Sequence, residues 1–282
     1  MKRNVIRRKP AEPKSGADSG PDSRDAGVQS VDRALSIIET LAEDDEGYRL
    51  SDLAVRTGLS TSTVHRLLAT LESRRFVAFD RTESKWHVGA RAFTVGATFA
   101  RRRNFSAQAM PYLRKLRDLT RETANLAVVD DEFIVVLTRM ESREIMRSLT
   151  KVGGRVAMVA SGVGKAVLAT YADEDVNAII CHHGMPRLTE KSIVRPSDLF
   201  RELAKVRAKG FAVDDEEACM GLRCIAAVVY NDCSEPLAAI SVSGMTSRIT
   251  DERLPALGET VREVAAELTV ALGGVIPEAK PS

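Results

Sequence analysis

No stretch of this 282-residue sequence approaches the roughly 18 consecutive apolar residues of a membrane-crossing helix, which argues against a membrane protein. The basic start, MKRNVIRRKP, is followed by no apolar segment, so it does not read as a secretory leader. Cysteine is scarce. The four present, Cys181, Cys219, Cys224 and Cys233, are irregularly spaced, which excludes a disulfide framework and points to reduced thiols in the cytoplasm. Cys181, His182 and His183 look like a metal cluster, but chain neighbours do not easily converge on one tetrahedral ion. No second ligand pair stands at finger-like spacing, so no metal is expected. No catalytic motif is present, and no cofactor is expected.

What is there is the composition of a globular chain with room for about two domains, 44% hydrophobic and 28% charged. The net charge of +2 conceals an asymmetry: residues 1–103 carry +5 and residues 104–282 carry −3. A basic amino-terminal third on a slightly acidic body suits a polyanion-binding module joined to something else.

Residues 1–27, rich in Pro, Gly, Ser, Asp and basic side chains, bury too little to offset their ordering entropy and read as a disordered basic tail. Val31, Ala34, Leu35, Ile38, Leu41 and Ala42 then recur at helical spacing, predicting a helix over residues 30–42. Residues 48–50 read as a short extended stretch, Ser51 as a cap, and residues 52–57 as a short helix closed by Gly58. Ser60 caps a longer helix to residue 73, whose inner face carries Val64, Leu67, Leu68 and Leu71. Residues 76–79 and 86–88 flank a polar turn and predict a β-hairpin. Helix, short helix, tight turn, longer helix and hairpin in that order are a winged helix-turn-helix over residues 28–90.

A linker helix is expected over residues 91–104. Beyond it, helices and β-branched strands share an α/β domain over residues 105–274, and residues 275–282 form a tail. Strands are expected at 125–129, 133–138, 224–230 and 237–243, and helices at 111–120, 161–171, 173–180, 197–209 and 251–272. The fold class is therefore α+β, with no internal repeat.

A helix entering the major groove offers short polar side chains and long donors at its exposed N-terminal end. Ser60, Thr61, Ser62, Thr63, His65 and Arg66 fit that description, and Arg66 could pair with guanine. Arg33, Arg74 and Arg75 stand at helix ends where phosphates would pass, with Arg81 and Lys85 on the wing turn. The expected partner is double-stranded DNA carrying a near-palindromic operator, since a two-fold protein implies a two-fold site.

The stretch VQSVDRALSIIETLAEDDEGYRLSDLAVRTGLSTSTVHRLLATLESRRFV resembles the DNA-binding half of the IclR family of transcriptional regulators. GFAVDDEEACMGLRCIAAVVYNDCSEPLAAISVSGMTSRIT resembles that family's effector-domain motif, and the likeness runs over about residues 28–274. The resemblance implies a GAF-like effector domain and a homodimer or homotetramer. The C-terminal half is similar to the glyoxylate-responsive, acetate-operon repressor branch, which implies an effector site at Gly162, Val163, Asp214, Cys224, Ser241 and Ser243. Val163 is larger than that branch's residue, and Met220 is a second departure, placed to reshape the entrance.

The residues themselves are compatible with an anion pocket. The SGVGK helix start presents unsatisfied N–H groups, and Ser241 and Ser243 share one strand face at period two. Asp214 could accept from a hydrated aldehyde, and Val156 and Leu222 could supply an apolar wall. Glyoxylate, or pyruvate as another short 2-oxo acid, fits this set. Two other readings stay open. One is an enzyme acting on a small oxo acid, with Cys224 as nucleophile and His182 or His183 as its base. The other is an architectural DNA-binding protein without a ligand.

Overall fold

A computed structural model describes residues 28–102, 105–130, 133–142 and 151–277. The basic tail over residues 1–27, Arg103 of the linker and the end of the C-terminal tail lie outside the described residues. The chain divides between Thr98 and Phe99 into two compact units.

The first unit contains α1 (Gln29–Ala42), α2 (Leu50–Thr57), α3 (Thr61–Ser73) and the hairpin β1 (Val77–Asp80) and β2 (Lys85–Val88). Its core is small: Ile37, Leu41, Tyr48, Leu53, Val64, Leu68, Val77 and Trp86. Gly58 ends α2 in the left-handed region at φ 66°, where a Cβ would be strained, and Ser60 caps α3 by accepting the Thr63 N–H at 3.3 Å.

Two local expectations are corrected. Helix α2 begins at Leu50, two residues earlier than a Ser51 cap would put it, and Ser51 Oγ instead lies 3.2 Å from Asp52 Oδ1. The cause is tertiary. Tyr48 exchanges two backbone hydrogen bonds with Trp86 of β2, at 3.1 and 2.8 Å, which fixes the chain before Arg49 and lets half-buried Leu50 join the core. On α1 the buried stripe is Ile37, Thr40 and Leu41, while Val31 and Leu35 of the expected stripe are more than half exposed.

Helix α4 (Ala90–Arg102) follows the hairpin, as expected of the linker. The second unit is built on one six-stranded sheet in the order β5-β4-β3-β8-β7-β6, with every pairing antiparallel. Its strands are β3 (Thr123–Asp130), β4 (Phe133–Met140), β5 (Arg155–Ala157), β6 (Ala212–Asp215), β7 (Leu222–Tyr230) and β8 (Pro236–Met245). Both faces are covered. On one face α5 (Phe105–Thr120) and α9 (Leu254–Ala271) pack on Leu126, Val128, Ile225, Ala227, Ile240 and Val242. On the other, α6 (Gly162–Leu168), α7 (Asp173–His183) and α8 (Pro196–Lys209) pack on Ala127, Ile134, Ala212, Ala226, Val228 and Ala239. Burial on both faces explains why the central strands read as continuous apolar runs.

Strands β5 and β6 escape the sequence reading because each is only three or four residues long and lies at a sheet edge. Helix α5 starts at Phe105 and carries Pro111 inside it, where the sequence suggested Pro111 as the first turn. Helix α6 stops at Leu168 instead of running to residue 171.

Candidate functional site

In the first unit, α3 presents Ser60, Thr61, Ser62, His65 and Arg66 to solvent, with Thr63 half-buried beside buried Val64. The Ser60 hydroxyl lies 3.0 Å from Ser62 Oγ and 2.8 Å from Thr63 Oγ1, so the capping group also gathers the neighbouring hydroxyls. His65 and Arg81 come together with Arg49 around a groove of about 700 Å³ between α3 and the hairpin. Arg49 was not a sequence candidate; its only signal is a basic residue one position before a helix.

The other basic candidates separate. Arg74 and Arg75 follow α3 and are exposed, and Arg75 adopts φ 62° while its carbonyl accepts the Arg91 N–H at 3.1 Å. Lys85 is matched by Glu83 at 3.1 Å and Glu46 at 4.0 Å, which leaves less of its charge for a phosphate. Arg33 is half-buried on α1.

In the second unit, strand periodicity assembles a buried site. Ser241 pairs across the sheet with Asn125 on one side and Ala226 on the other. Ser243 pairs with Cys224, and Cys224 with Asp214. Each residue is two positions along its strand from an alanine of the α6-facing core: Ala127, Ala239, Ala226 and Ala212. A step of two keeps the face, so Asn125, Ser241, Cys224 and Asp214 all point toward α6. They line a cavity of about 100 Å³, together with Ser243, Ser161, Val163 and an apolar wall that includes Ile134, Val136, Val156 and Leu222.

Of the sequence candidates, Val163, Asp214, Cys224, Ser241 and Ser243 border this cavity, while Gly162 does not. Gly162 is where α6 crosses the sheet: an added Cβ would meet the Cys224 carbonyl oxygen at 3.0 Å and the Asp214 nitrogen at 3.4 Å. Of the helix-start N–H groups, that of Gly164 is already accepted by Ser161 Oγ at 3.0 Å. The residue missed was Asn125. Its amide nitrogen lies 3.4 Å from Ser241 Oγ and 3.3 Å from Ser243 Oγ, a link across 116 residues that no local pattern could show.

The polar groups are held firmly. Asp214 Oδ1 accepts the N–H groups of Glu217 at 2.8 Å and Ala218 at 3.3 Å. Burial and the nearby Glu217 charge nonetheless push Asp214 up to about 6. Behind it, fully buried Lys165 donates to the Val213 carbonyl at 2.6 Å and pairs with Glu217. Burial, then the Asp214 charge, push the Cys224 thiol up to about 11, against hydrogen bonds from Ser243 and Ser241. A thiol held neutral at physiological pH is a poor nucleophile, and neither His182 nor His183 is among the residues lining the cavity. The reading of Cys224 as a nucleophile is thereby corrected.

No helix among the described residues is long and apolar enough to cross a membrane. The family pattern described as IclR helix-turn-helix domain matches residues 30–81, and that described as bacterial transcriptional regulator IclR C-terminal matches residues 97–270. The acetate operon repressor of Salmonella typhimurium is 41% identical over 249 residues, 88% of this chain and 91% of that protein. The transcriptional repressor IclR of Escherichia coli is 40% identical over 250 residues, with the same two coverages, 88% and 91%. An IclR regulator of known structure from Alicyclobacillus acidocaldarius superposes with a TM-score of 0.74 at 25% identity, covering 88% of this chain and all of that one. Two family patterns in the order of the two units, and two relatives near 40% identity along most of the chain, establish that it belongs to the IclR family of DNA-binding transcriptional regulators, which are not enzymes.

Proposed function

We propose that this regulator reads a near-palindromic operator in the cytoplasm as a homodimer or homotetramer, and that a short 2-oxo acid in the C-terminal cavity tunes its operator affinity. Glyoxylate is the first choice and pyruvate the second. The observation that carries the effector reading is the cavity itself. Its about 100 Å³ suits a molecule the size of a few waters, at roughly 30 Å³ each, and its polar groups converge from four strands and the Ser161 cap of α6. The Asn125 amide and the hydroxyls of Ser241 and Ser243 supply donors for a carboxylate, while Asp214 and Cys224 face the rest of the ligand. Small-acid sensing also accords with a 41% identical relative that represses an acetate operon.

A ligand of about five heavy atoms gains at most about −1.5 kcal/mol per atom, so its dissociation constant is no tighter than about micromolar. It shifts operator affinity only by its differential binding to two conformations, for which about 1–3 kcal/mol is typical. Helix α4, which crosses the boundary between the units, is the covalent route for that coupling. The exposed Val28, Val31 and Leu35 supply apolar surface for self-association in the first unit.

Calorimetry with glyoxylate on the wild type and on Ser241→Ala tests the cavity. Heat with the wild type and weaker binding in the variant are expected; no heat at millimolar ligand, or an unchanged variant, overturns it. Light scattering showing a monomer at micromolar concentration would overturn the assembly.

A further inference from the structure

The cavity carries a group that a carboxylate binder does not need: an acid in its wall. Asp214 is 6% exposed and lines the cavity. Its Oδ1 is occupied by two backbone N–H groups, and its Oδ2 has no hydrogen bond among the described residues. The cations facing this cluster are already matched. Lys165 of α6 pairs with Glu217, whose second oxygen is itself buried without a partner. Arg223 of β7 binds Asp215 and Asp251 and donates to the Ile249 carbonyl. Lys191 holds Asp215 and Glu216. Glu202 of α8 adds negative charge behind Glu217 and is paired with Lys205. The Cys224 thiol, directly opposite Asp214 in the sheet, is held in its neutral form. Around Asp214, three cations (Lys165, Lys191, Arg223) therefore serve five carboxylates (Asp214, Asp215, Glu216, Glu217, Asp251).

A monocarboxylate entering this cavity adds a further negative charge beside Asp214, and the cation in the lining, Arg223, is already shared between Asp215 and Asp251. Two anions that share a poorly solvated space cannot both stay ionised cheaply, and the group that yields is the one whose charge is already least favoured. The ligands in question remain ionised throughout the neutral range, whereas Asp214 already sits near 6 in the empty site.

We propose that Asp214 serves the loaded cavity as a neutral acid: a 2-oxo monocarboxylate enters together with one proton, which resides on Asp214 Oδ2 and is donated in a hydrogen bond to the ligand's carbonyl oxygen. The proton belongs on Oδ2 because Oδ1 already faces two N–H donors. Asp214 is then a specificity residue. A carbonyl oxygen can only accept, so it needs the protonated acid, whereas the hydroxyl of a 2-hydroxy acid can also donate to the ionised form. Affinity for 2-oxo acids therefore falls as pH rises above the free-site value, and affinity for the matching 2-hydroxy acids falls less steeply. This inference rests on the reading of the cavity as the effector site.

The test is isothermal calorimetry of pyruvate and of glyoxylate on the full chain, at pH 6, 7 and 8, in buffers of different ionisation heat, so that protons taken up per ligand are counted directly. For pyruvate close to one proton per ligand at pH 8 is expected, with affinity weakening roughly 50-fold from pH 6 to pH 8, and hydrated glyoxylate, which can donate as a hydroxy acid does, should take up fewer. Asp214→Asn carries a permanent donor in place of the acid, so it should bind with a pH-independent affinity near the wild-type value at pH 6. Binding of pyruvate, which stays a ketone in water, with no proton uptake overturns the neutral-acid role while leaving the cavity as effector site. Absence of binding at every pH overturns the effector reading and this inference together. The proton count is made on the wild type, so it decides the matter even where the variant fails to fold.

Discussion

The two units solve recognition in opposite ways. The first holds its candidate contacts outside a core of only eight buried apolar side chains, with Ser60, Thr61, Ser62, His65 and Arg66 all exposed on one helix. The second puts its candidate contacts inside: Asn125, Asp214 and Ser241 are each under a tenth exposed, Asn125 and Ser241 joined across 116 residues and Asp214 held by the backbone N–H groups of Glu217 and Ala218. An exposed donor loses little when it has no ligand, because water replaces the partner. A buried one must be satisfied internally or kept neutral. Substitutions at the two sites should therefore fail in different ways, with loss of DNA binding at unchanged stability in the first unit, and stability and binding changing together in the second.

The sharpest contrast is expected at Lys165, which has no counterpart in the first unit. Lys165→Met leaves Glu217 buried with no cation, and breaking a buried pair from one side costs about 3–5 kcal/mol. Denaturant unfolding followed by a probe in the second unit measures the loss. Replacing both partners, Lys165→Met with Glu217→Leu, should recover most of it. A Lys165→Met protein of wild-type stability would show that the pair is hydrated, and the contrast between the units would weaken accordingly.

Asp214 sharpens the same contrast through pH. Its folded-state value is raised from 3.8 to about 6 by burial and Glu217. The folded state thus holds its proton more tightly than the unfolded one, and stability falls as pH rises between those two values. In the free protein Asp214→Asn should be the more stable form by up to about 3 kcal/mol near pH 8, shrinking to about half of that at pH 5. Chemical denaturation at the two pH values reads the difference. A gap that does not narrow on acidification would mean that Asp214 is well solvated.

How legible each unit is from sequence follows from the same difference. The first unit's order of elements was readable because its signals are local: Gly58 at a left-handed helix end, Ser60 three residues before Thr63, and a polar turn between two short apolar runs. It failed where a distant strand intervened, at Tyr48 bound to Trp86, which moved the start of α2. In the second unit Ser241 and Ser243 entered through family resemblance, with their period-two spacing in support, but Asn125 did not enter at all. It joins them only because β3 lies beside β8, and strand order is not written in any one strand. Val163, Asp214 and Cys224 entered through family resemblance, and the structure then supplied what resemblance could not: the shared cavity wall and the burial that keeps the Cys224 thiol neutral.

Arg66→Ala tests the exposed side of the comparison. A bidentate contact to a base is worth about 1–3 kcal/mol of operator affinity, so binding should weaken about 5- to 150-fold in a mobility-shift titration. Because Arg66 is exposed, the unfolding midpoint should stay within about 0.5 kcal/mol of wild type. Unchanged footprinting of Arg66→Ala combined with Thr63→Ala would remove α3 as the reading helix.

The smallest effects come from a device that both units share, a serine N-cap placed once in water and once in the core. Ser60 Oγ accepts the Thr63 N–H at 3.3 Å on an exposed surface, and Ser161 Oγ accepts the Gly164 N–H at 3.0 Å while only 8% exposed. Removing a cap costs about 0.5–2 kcal/mol. Where in that range each serine falls depends on whether water can take over the abandoned N–H. At Ser60 it can, so Ser60→Ala should cost about 0.5–1 kcal/mol and should act on operator affinity mainly by freeing the Ser62 and Thr63 hydroxyls it holds. At Ser161 the orphaned N–H of Gly164 lies where α6 presses on Met158, with only about 2.0 Å from the position of an added Gly164 Cβ to the Met158 carbonyl oxygen, so little room exists for a replacement. Ser161→Ala should therefore cost nearer 2 kcal/mol. Equal costs for the two serines, measured by denaturant unfolding of the single variants, would show that water from the adjoining cavity reaches the start of α6 as freely as it reaches α3.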